Sequence, residues 1–255
     1  ATIQKSVNRA FKILVDTTRS KKELIEFYNC ASSKIVTQAF IPFLPKIYKN
    51  LKEKINIKMI FEKLGLKENE KFIFYPAHFW AHKNHKYIID AIEILKFKKK
   101  IDLKVVFCGS AKENFDYIVN QVKKKKLNDN FYIFKFLTNE EIIVLYKKTI
   151  ALVMPTYVAR STLPLYEAFF FQVPVLYSKN VLDKDLEAYV EVFDLNSPQN
   201  LADKIDDFLN DKLIFGDKIK KAVGCFDINC NDEKFIDNYI NILSEFEYLK
   251  SRWDE

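Results

Sequence analysis

Two stretches of the chain place cations, hydroxyls and a carboxylate where an anionic ligand can be gripped. The first reads Tyr75-Pro76-Ala77-His78-Phe79-Trp80-Ala81-His82-Lys83-Asn84-His85. It follows a strand-like run at 71–75 and leads into a helix-like one, so its polar groups fall at the carboxyl edge of a sheet, where open α/β sheets bind ligands. Lys83 and the three histidines beside a helix N-terminus can hold a diphosphate, because backbone N–H groups and the helix dipole assist the cation. The plainer reading is a solvated polar loop.

The second stretch runs from Pro155 to Ala168 and again joins a strand end to a helix. Pro164 suits the first turn of that helix, and Ser161 and Thr162 bring hydroxyls close to its N-terminus. Glu167 lies in the same helix, where a carboxylate either serves a ligand or only complements the dipole. The apolar residues around it, Phe169 to Phe171 and Val173 to Leu176, put this helix and the next strand deep in a core.

Glycine restricts how phosphate can be bound. Only four glycines occur in 255 residues, and neither G-x-G-x-x-G nor G-x-x-x-x-G-K-[ST] is present, which removes the standard dinucleotide fingerprint and the P-loop. The net charge, 41 basic minus 34 acidic residues or +7, favours anionic partners. The four cysteines form no C-x-x-C pair and there are only three histidines, so no metal centre is expected and a reducing, cytoplasmic compartment fits best. No apolar run reaches 18 residues, so a membrane span is not expected, although an anionic membrane surface remains a candidate partner. The chain opens on Ala1 and is expected to be a processed or partial one.

The elements that must position these residues follow from periodicity. Strand-like runs at 12–15, 35–40, 71–75, 104–108, 131–134, 151–154, 173–177 and 190–193 alternate with amphipathic segments at 21–29, 85–98, 113–126, 139–148, 164–171, 182–188 and 200–210. With 49% hydrophobic and 29% charged residues, this alternation predicts a doubly wound α/β fold of the Rossmann type with a parallel sheet. Ser20 and Asn139 read as helix N-caps. Two prolines, Pro42 and Pro45, resist both helix and central strand and divide the chain. Three parts are expected: residues 1–45, too small to bury their own faces; residues 46–212; and two terminal helices within 213–255. The lysine runs at 98–100 and 123–126 end helices, and no aromatic-basic alternation marks a strand, so nucleic acid is not an expected partner.

Taken together, the order and spacing resemble the nucleotide-sugar-binding half of a GT-B glycosyltransferase of the retaining family 4 kind. Ala77-His78 and Lys83-Asn84 occupy the places of that family's Gly-Arg and Lys, Val105 to Gly109 resemble its next strand and glycine, residues 134–141 resemble its nucleobase segment, and Leu163-Pro164-Leu165-Tyr166-Glu167-Ala168 resembles its most diagnostic stretch.

The resemblance implies retaining transfer of a sugar, hexosyltransferase-like, from a nucleoside-diphosphate donor to a glycan or lipid-linked acceptor, without a cofactor or an obligatory metal. It assigns Lys83 to the diphosphate, Glu167 to the ribose hydroxyls, and donor contacts to His78, Asn84, Gly109, Phe136, Leu137, Ser161, Thr162 and Leu163. Of the family's Glu-x7-Glu pair only Glu167 survives, because Ala159 stands at the first position. Arg160, on the facing loop, is the candidate for the positive charge missing at His78. Residues 1–45 correspond to the end of an amino-terminal domain, and the final helix is expected to cross back towards it. A non-catalytic nucleotide-sugar-binding or assembly module is the alternative that Ala159 favours, and a basic protein acting on nucleic acid or a membrane surface is a third reading.

Overall fold

The computed structural model describes residues 2–158, 162–211 and 215–252. After a first helix, α1 (Thr2–Arg9), a short parallel pair β1 (Ile13–Val15) and β2 (Ile35–Thr37) is joined by α2 (Thr18–Tyr28). Two helices follow, α3 (Leu44–Leu51) and α4 (Ile57–Leu64). The main body then alternates β3 (Phe72–Pro76), α5 (His85–Phe97), β4 (Lys104–Cys108), α6 (Phe115–Lys124), β5 (Phe131–Phe134), α7 (Asn139–Lys148), β6 (Ala151–Met154), α8 (Leu163–Phe170), β7 (Val175–Ser178) and β8 (Glu191–Phe193). Helices α9 (Pro198–Asn210), α10 (Gly216–Asn229) and α11 (Asp232–Ser251) close the chain.

Strands β3 to β8 form one parallel sheet in the order β5-β4-β3-β6-β7-β8, the doubly wound α/β architecture expected from the sequence. Parallel sheets carry helices on both faces, so their central strands read as continuous apolar runs. Here every residue of β6 and β7 is buried, as are Phe72 to Tyr75 of β3. The chain leaves β3 towards β4 on one side and returns at β6 on the other. The two loops that follow β3 and β6 therefore face each other across the point where strand order reverses, which is where such sheets take their ligands.

Several sequence expectations are corrected. The second strand stops at Thr37 rather than 40, because its partner β1 offers only three residues to pair with. The N-cap of α2 is Thr17, whose Oγ1 accepts from the Ser20 backbone N–H at 3.0 Å, and not Ser20 itself. The N-cap of α7 is Thr138 in place of Asn139: it forms a capping box, with Glu141 accepting from the Thr138 N–H at 2.7 Å. Pro45 does not resist helix but sits in the first turn of α3, where its missing N–H has no partner to lose. Residues 182–188 fold as a 3-10 turn, Lys184–Tyr189, rather than an α-helix.

The N-terminal pair has its own small cluster of Val7, Cys30 and Ile35 and docks on the main body. Helix α11 returns to it: Phe246 packs edge-on against Phe11 at 5.4 Å, and Lys12 pairs with Glu245 at 2.9 Å. Among the described residues, no helix is long and apolar enough to cross a membrane.

Candidate functional site at the strand-order reversal

The β3 loop begins at Ala77 and is held inward by Phe79, which is fully buried. It then makes a 3-10 turn, Ala81–Lys83, and enters α5 through Asn84 in a left-handed conformation (φ 56°), which asparagine tolerates better than most residues. The turn is fastened from below by Tyr75, whose hydroxyl donates to the Lys83 carbonyl at 2.9 Å.

It is fastened from the side by the β6 loop. The Asn84 amide donates to the Pro155 carbonyl at 3.1 Å, the Tyr157 backbone N–H donates to the His82 carbonyl at 2.9 Å, and the Thr156 hydroxyl reaches that same carbonyl at 3.1 Å. Ser178, at the end of β7, donates to the Thr156 carbonyl at 2.7 Å. The two loops singled out in the sequence are thus one hydrogen-bonded unit.

The β4 end joins them by close backbone approach. A Cβ on Gly109 would lie 2.3 Å from the Ala77 carbonyl oxygen, so only glycine fits, and its N–H donates to the Phe134 carbonyl at 3.0 Å. The next residue, Ser110, donates its backbone N–H to His78 Nδ1 at 3.0 Å. That bond makes Nδ1 the acceptor, so a neutral His78 carries its proton on Nε2.

Lys83 is half-buried, and its ammonium has no acceptor or carboxylate partner among the described residues; burial lowers its pKa. A desolvated, unpaired cation at the head of a helix is poised for an anion. Glu167 lies partly buried in α8, where one carboxylate oxygen accepts from the Tyr146 hydroxyl at 2.8 Å. Burial raises its pKa to about 7, against the pull of that hydrogen bond. Tyr146 in turn stacks on Phe171, with ring centroids 5.5 Å apart.

The remaining expected donor contacts divide. Phe136, two residues beyond β5, is 79% exposed, whereas the Leu137 side chain is buried and leaves only its backbone to a ligand. Thr162 is buried; among the described residues its hydroxyl has no partner and makes no side-chain cap to α8, and Leu163 is the first residue of that helix. Ala159, Arg160 and Ser161 lie outside the described residues.

His85 is corrected outright. It does not face the ligand edge but is fully buried, stacked on Phe79 at 4.6 Å, with Nε2 3.2 Å from the Ala77 carbonyl. Tyr146 and Ser110, which orient Glu167 and His78, carried no signal in the sequence, because their partners are 21 and 32 residues away. Beside the β6 loop a cavity of about 530 Å³ opens between Tyr157 and Val158 on one wall and Arg19, Leu24 and Tyr28 of α2 on the other. Among the described residues, no group of three or more His, Cys, Asp or Glu can hold a metal ion.

The parallel six-stranded sheet flanked by helices matches the fold of GT-B glycosyltransferases, whose solved structures superpose on the chain. A glycosyltransferase from Rickettsia africae matches with TM-score 0.74 and 20% identity over 95% of this chain and 67% of its own. Anabaena HepE, solved in complex with UDP and glucose, matches with TM-score 0.78 and 12% identity over 96% of this chain and 66% of its own. The C-terminal domain of LpcC from Francisella tularensis matches with TM-score 0.55 and 18% identity over 66% of this chain and 90% of its own.

The sequence profile of the glycosyl transferases group 1 matches residues 56–223, and the chain belongs to that family. It spans about two thirds of the length of the Rickettsia and Anabaena proteins. Comparison with curated proteins finds no match.

Proposed function

We propose that the chain is the donor-binding part of a retaining glycosyltransferase of the family 4 kind, which moves a hexose from a nucleoside diphosphate to a hydroxyl of a glycan or lipid-linked acceptor. The observation that supports this reading is Lys83: a half-buried ammonium, unpaired among the described residues, on a loop bonded through Asn84 to the loop that leads into α8. Departure of the diphosphate develops negative charge between these loops. In this reading Lys83 and the first amides of α8 stabilise it without reorganising.

In this reading Arg160 approaches the same phosphates from the second loop. His78 donates from Nε2, Phe136 and the Leu137 backbone flank the base with Gly109, and Ser161, Thr162 and Leu163 border the phosphate or sugar. Glu167 takes the ribose hydroxyls, and Tyr146 orients it. No protein nucleophile and no metal take part, and attack comes from the face the leaving group vacates. The working compartment is cytoplasmic, at the inner face of a membrane when the acceptor is lipid-linked.

Calorimetry against a panel of nucleotide sugars tests the reading. The wild-type chain is expected to bind at least one, and Lys83→Met to bind it about tenfold or more weakly, as loss of a charge-assisted contact implies. Heat of binding with none of the panel, or equal binding by Lys83→Met, would overturn it.

Ala159 favours a second reading, a nucleotide-sugar-binding module without turnover, since alanine cannot bind a sugar hydroxyl. Transfer or donor hydrolysis by the full-length protein, lost in Glu167→Ala, separates catalysis from binding alone.

A further inference from the structure

Thr156, two residues past the end of β6, is a polar side chain that is fully buried. Its hydroxyl carries one proton and has two carbonyls in reach: that of Val158 at 2.6 Å, in its own loop, and that of His82 at 3.1 Å, 74 residues away in the turn that holds Lys83. Its own carbonyl accepts from the Ser178 hydroxyl at 2.7 Å, and Ser178, at the end of β7, is equally buried. Thr156 is thus tied to its own loop, to the facing turn and to the neighbouring strand.

A backbone carbonyl accepts two hydrogen bonds, and the β6 loop supplies both to His82: the Thr156 hydroxyl and the Tyr157 backbone N–H at 2.9 Å. One residue on, the Lys83 carbonyl is held by Tyr75 at 2.9 Å. The peptide groups on both sides of Lys83 are therefore anchored, one to the β6 loop and the other to β3. The direction of its side chain follows from them. Valine has nearly the shape of threonine and would fill this place if packing were the only demand, but it lacks the hydroxyl. Its presence would take from the Val158 carbonyl its bond to Thr156 and remove one of the two bonds on the His82 carbonyl.

Resting on the function proposed above, we propose that Thr156 is a positioning residue: by sharing one hydroxyl proton between a carbonyl of its own loop and a carbonyl of the facing turn, it sets the spacing of the two loops and so aims the Lys83 ammonium at the diphosphate. Thr156 touches no substrate in this scheme. It acts through Lys83.

Two variants separate this role from packing. Thr156→Val keeps the shape and loses the hydroxyl, whereas Thr156→Ser keeps the hydroxyl and loses a methyl group. Packing alone makes serine the more damaging change; positioning makes it valine. In the ligand-free chain, hydrogen exchange at the Tyr157, Lys83 and Asn84 amides, which close the loop contact and the turn, is expected to run about tenfold faster in Thr156→Val and within about twofold of wild type in Thr156→Ser. Amides of α6 and α9 serve as the control and are expected to be unchanged. Wild-type rates at the three amides in Thr156→Val, equal acceleration in both variants, or acceleration spread through α6 and α9 would overturn the assignment. Should Thr156→Val fail to fold, Thr156→Ala, which differs from Thr156→Ser by a single oxygen, carries the same expectations.

Titration with uridine, guanosine and adenosine diphosphates provides the functional arm. The tightest of them is expected to bind about tenfold more weakly to Thr156→Val and within about threefold of wild type to Thr156→Ser. In a Lys83→Met background, Thr156→Val is expected to lower affinity by no more than about twofold further, because two changes on one route to the ligand do not add. Undiminished affinity in Thr156→Val, or a further tenfold loss with Lys83 already replaced, would sink the aiming role. If the wild-type chain binds no nucleoside diphosphate at all, the proposed function fails, and the exchange measurement alone still decides whether Thr156 holds the turn.

Discussion

The side-chain amide of Asn84 donates to the backbone carbonyl of Pro155 at 3.1 Å and joins two loops 71 residues apart. Asn84 is buried and left-handed, so one residue supplies both the backbone geometry that starts α5 and the bridge between the loops. Asn84→Gly relaxes the backbone but removes the bridge. Leaving the Pro155 carbonyl unpaired is expected to cost about 1–3 kcal/mol in urea denaturation. Asn84→Ala adds left-handed strain and is expected to cost about 1–2 kcal/mol more than the glycine variant.

Gly109 admits no side chain. With the Ala77 carbonyl 2.3 Å from where a Cβ would sit, Gly109→Ala forces β3 and β4 apart at their carboxyl ends. Overpacking of this kind costs about 1–3 kcal/mol. Because the displaced residue precedes His78, the variant is also expected to weaken nucleotide binding by more than its stability loss explains. Gly216→Ala, where a Cβ meets nothing within 4 Å, is the matched control and is expected to leave both unchanged.

Glu167 makes stability fall as pH rises. Its carboxyl is lifted from 4.5 to about 7 by burial, so the folded state favours the protonated form. The contribution is complete below pH 4.5 and is lost as pH climbs through 7, an amount on the order of 3 kcal/mol. Glu167→Gln cannot titrate, so its stability relative to wild type is expected to rise across that window. Tyr146→Phe removes the hydrogen bond that holds the pKa down and is expected to move the midpoint upward. Denaturation at half-unit steps of pH measures both.

His85 works in the opposite direction. Desolvation lowers its pKa from 6.5 to about 3, so the fold holds the neutral ring and stability is lost as pH falls from 6.5 towards 3. The loss is on the order of 5 kcal/mol over the full window. His85→Leu gives up the stacking on Phe79 but cannot be protonated. Its stability deficit against wild type is expected to be greatest near pH 7 and to shrink towards pH 4.

The sheet was legible because buried parallel strands leave apolar runs: β4, β5 and β6 fall where the residue types place them. The two facing loops were legible because each carries a cation or carboxylate between a strand and a helix. Side-chain direction was not. His85 sits among polar neighbours and reads as surface, yet Ile88, Ile89, Ile92 and Leu95 continue its face at helical spacing, a signal of burial that was present. Helix α4 was not read from the sequence, although Asn56 caps it and Gly65, at φ 70°, stops it.

Tyr75 lies within β3, fully enclosed by the core, yet its hydroxyl holds the carbonyl of Lys83. The cationic turn is therefore fixed to the stiffest part of the molecule, and an incoming ligand need not freeze a wandering loop. On the proposed function, little conformational entropy would remain to be surrendered on binding, and choice among ligands would pass to the side chains exposed at the rim, such as His78 and Phe136.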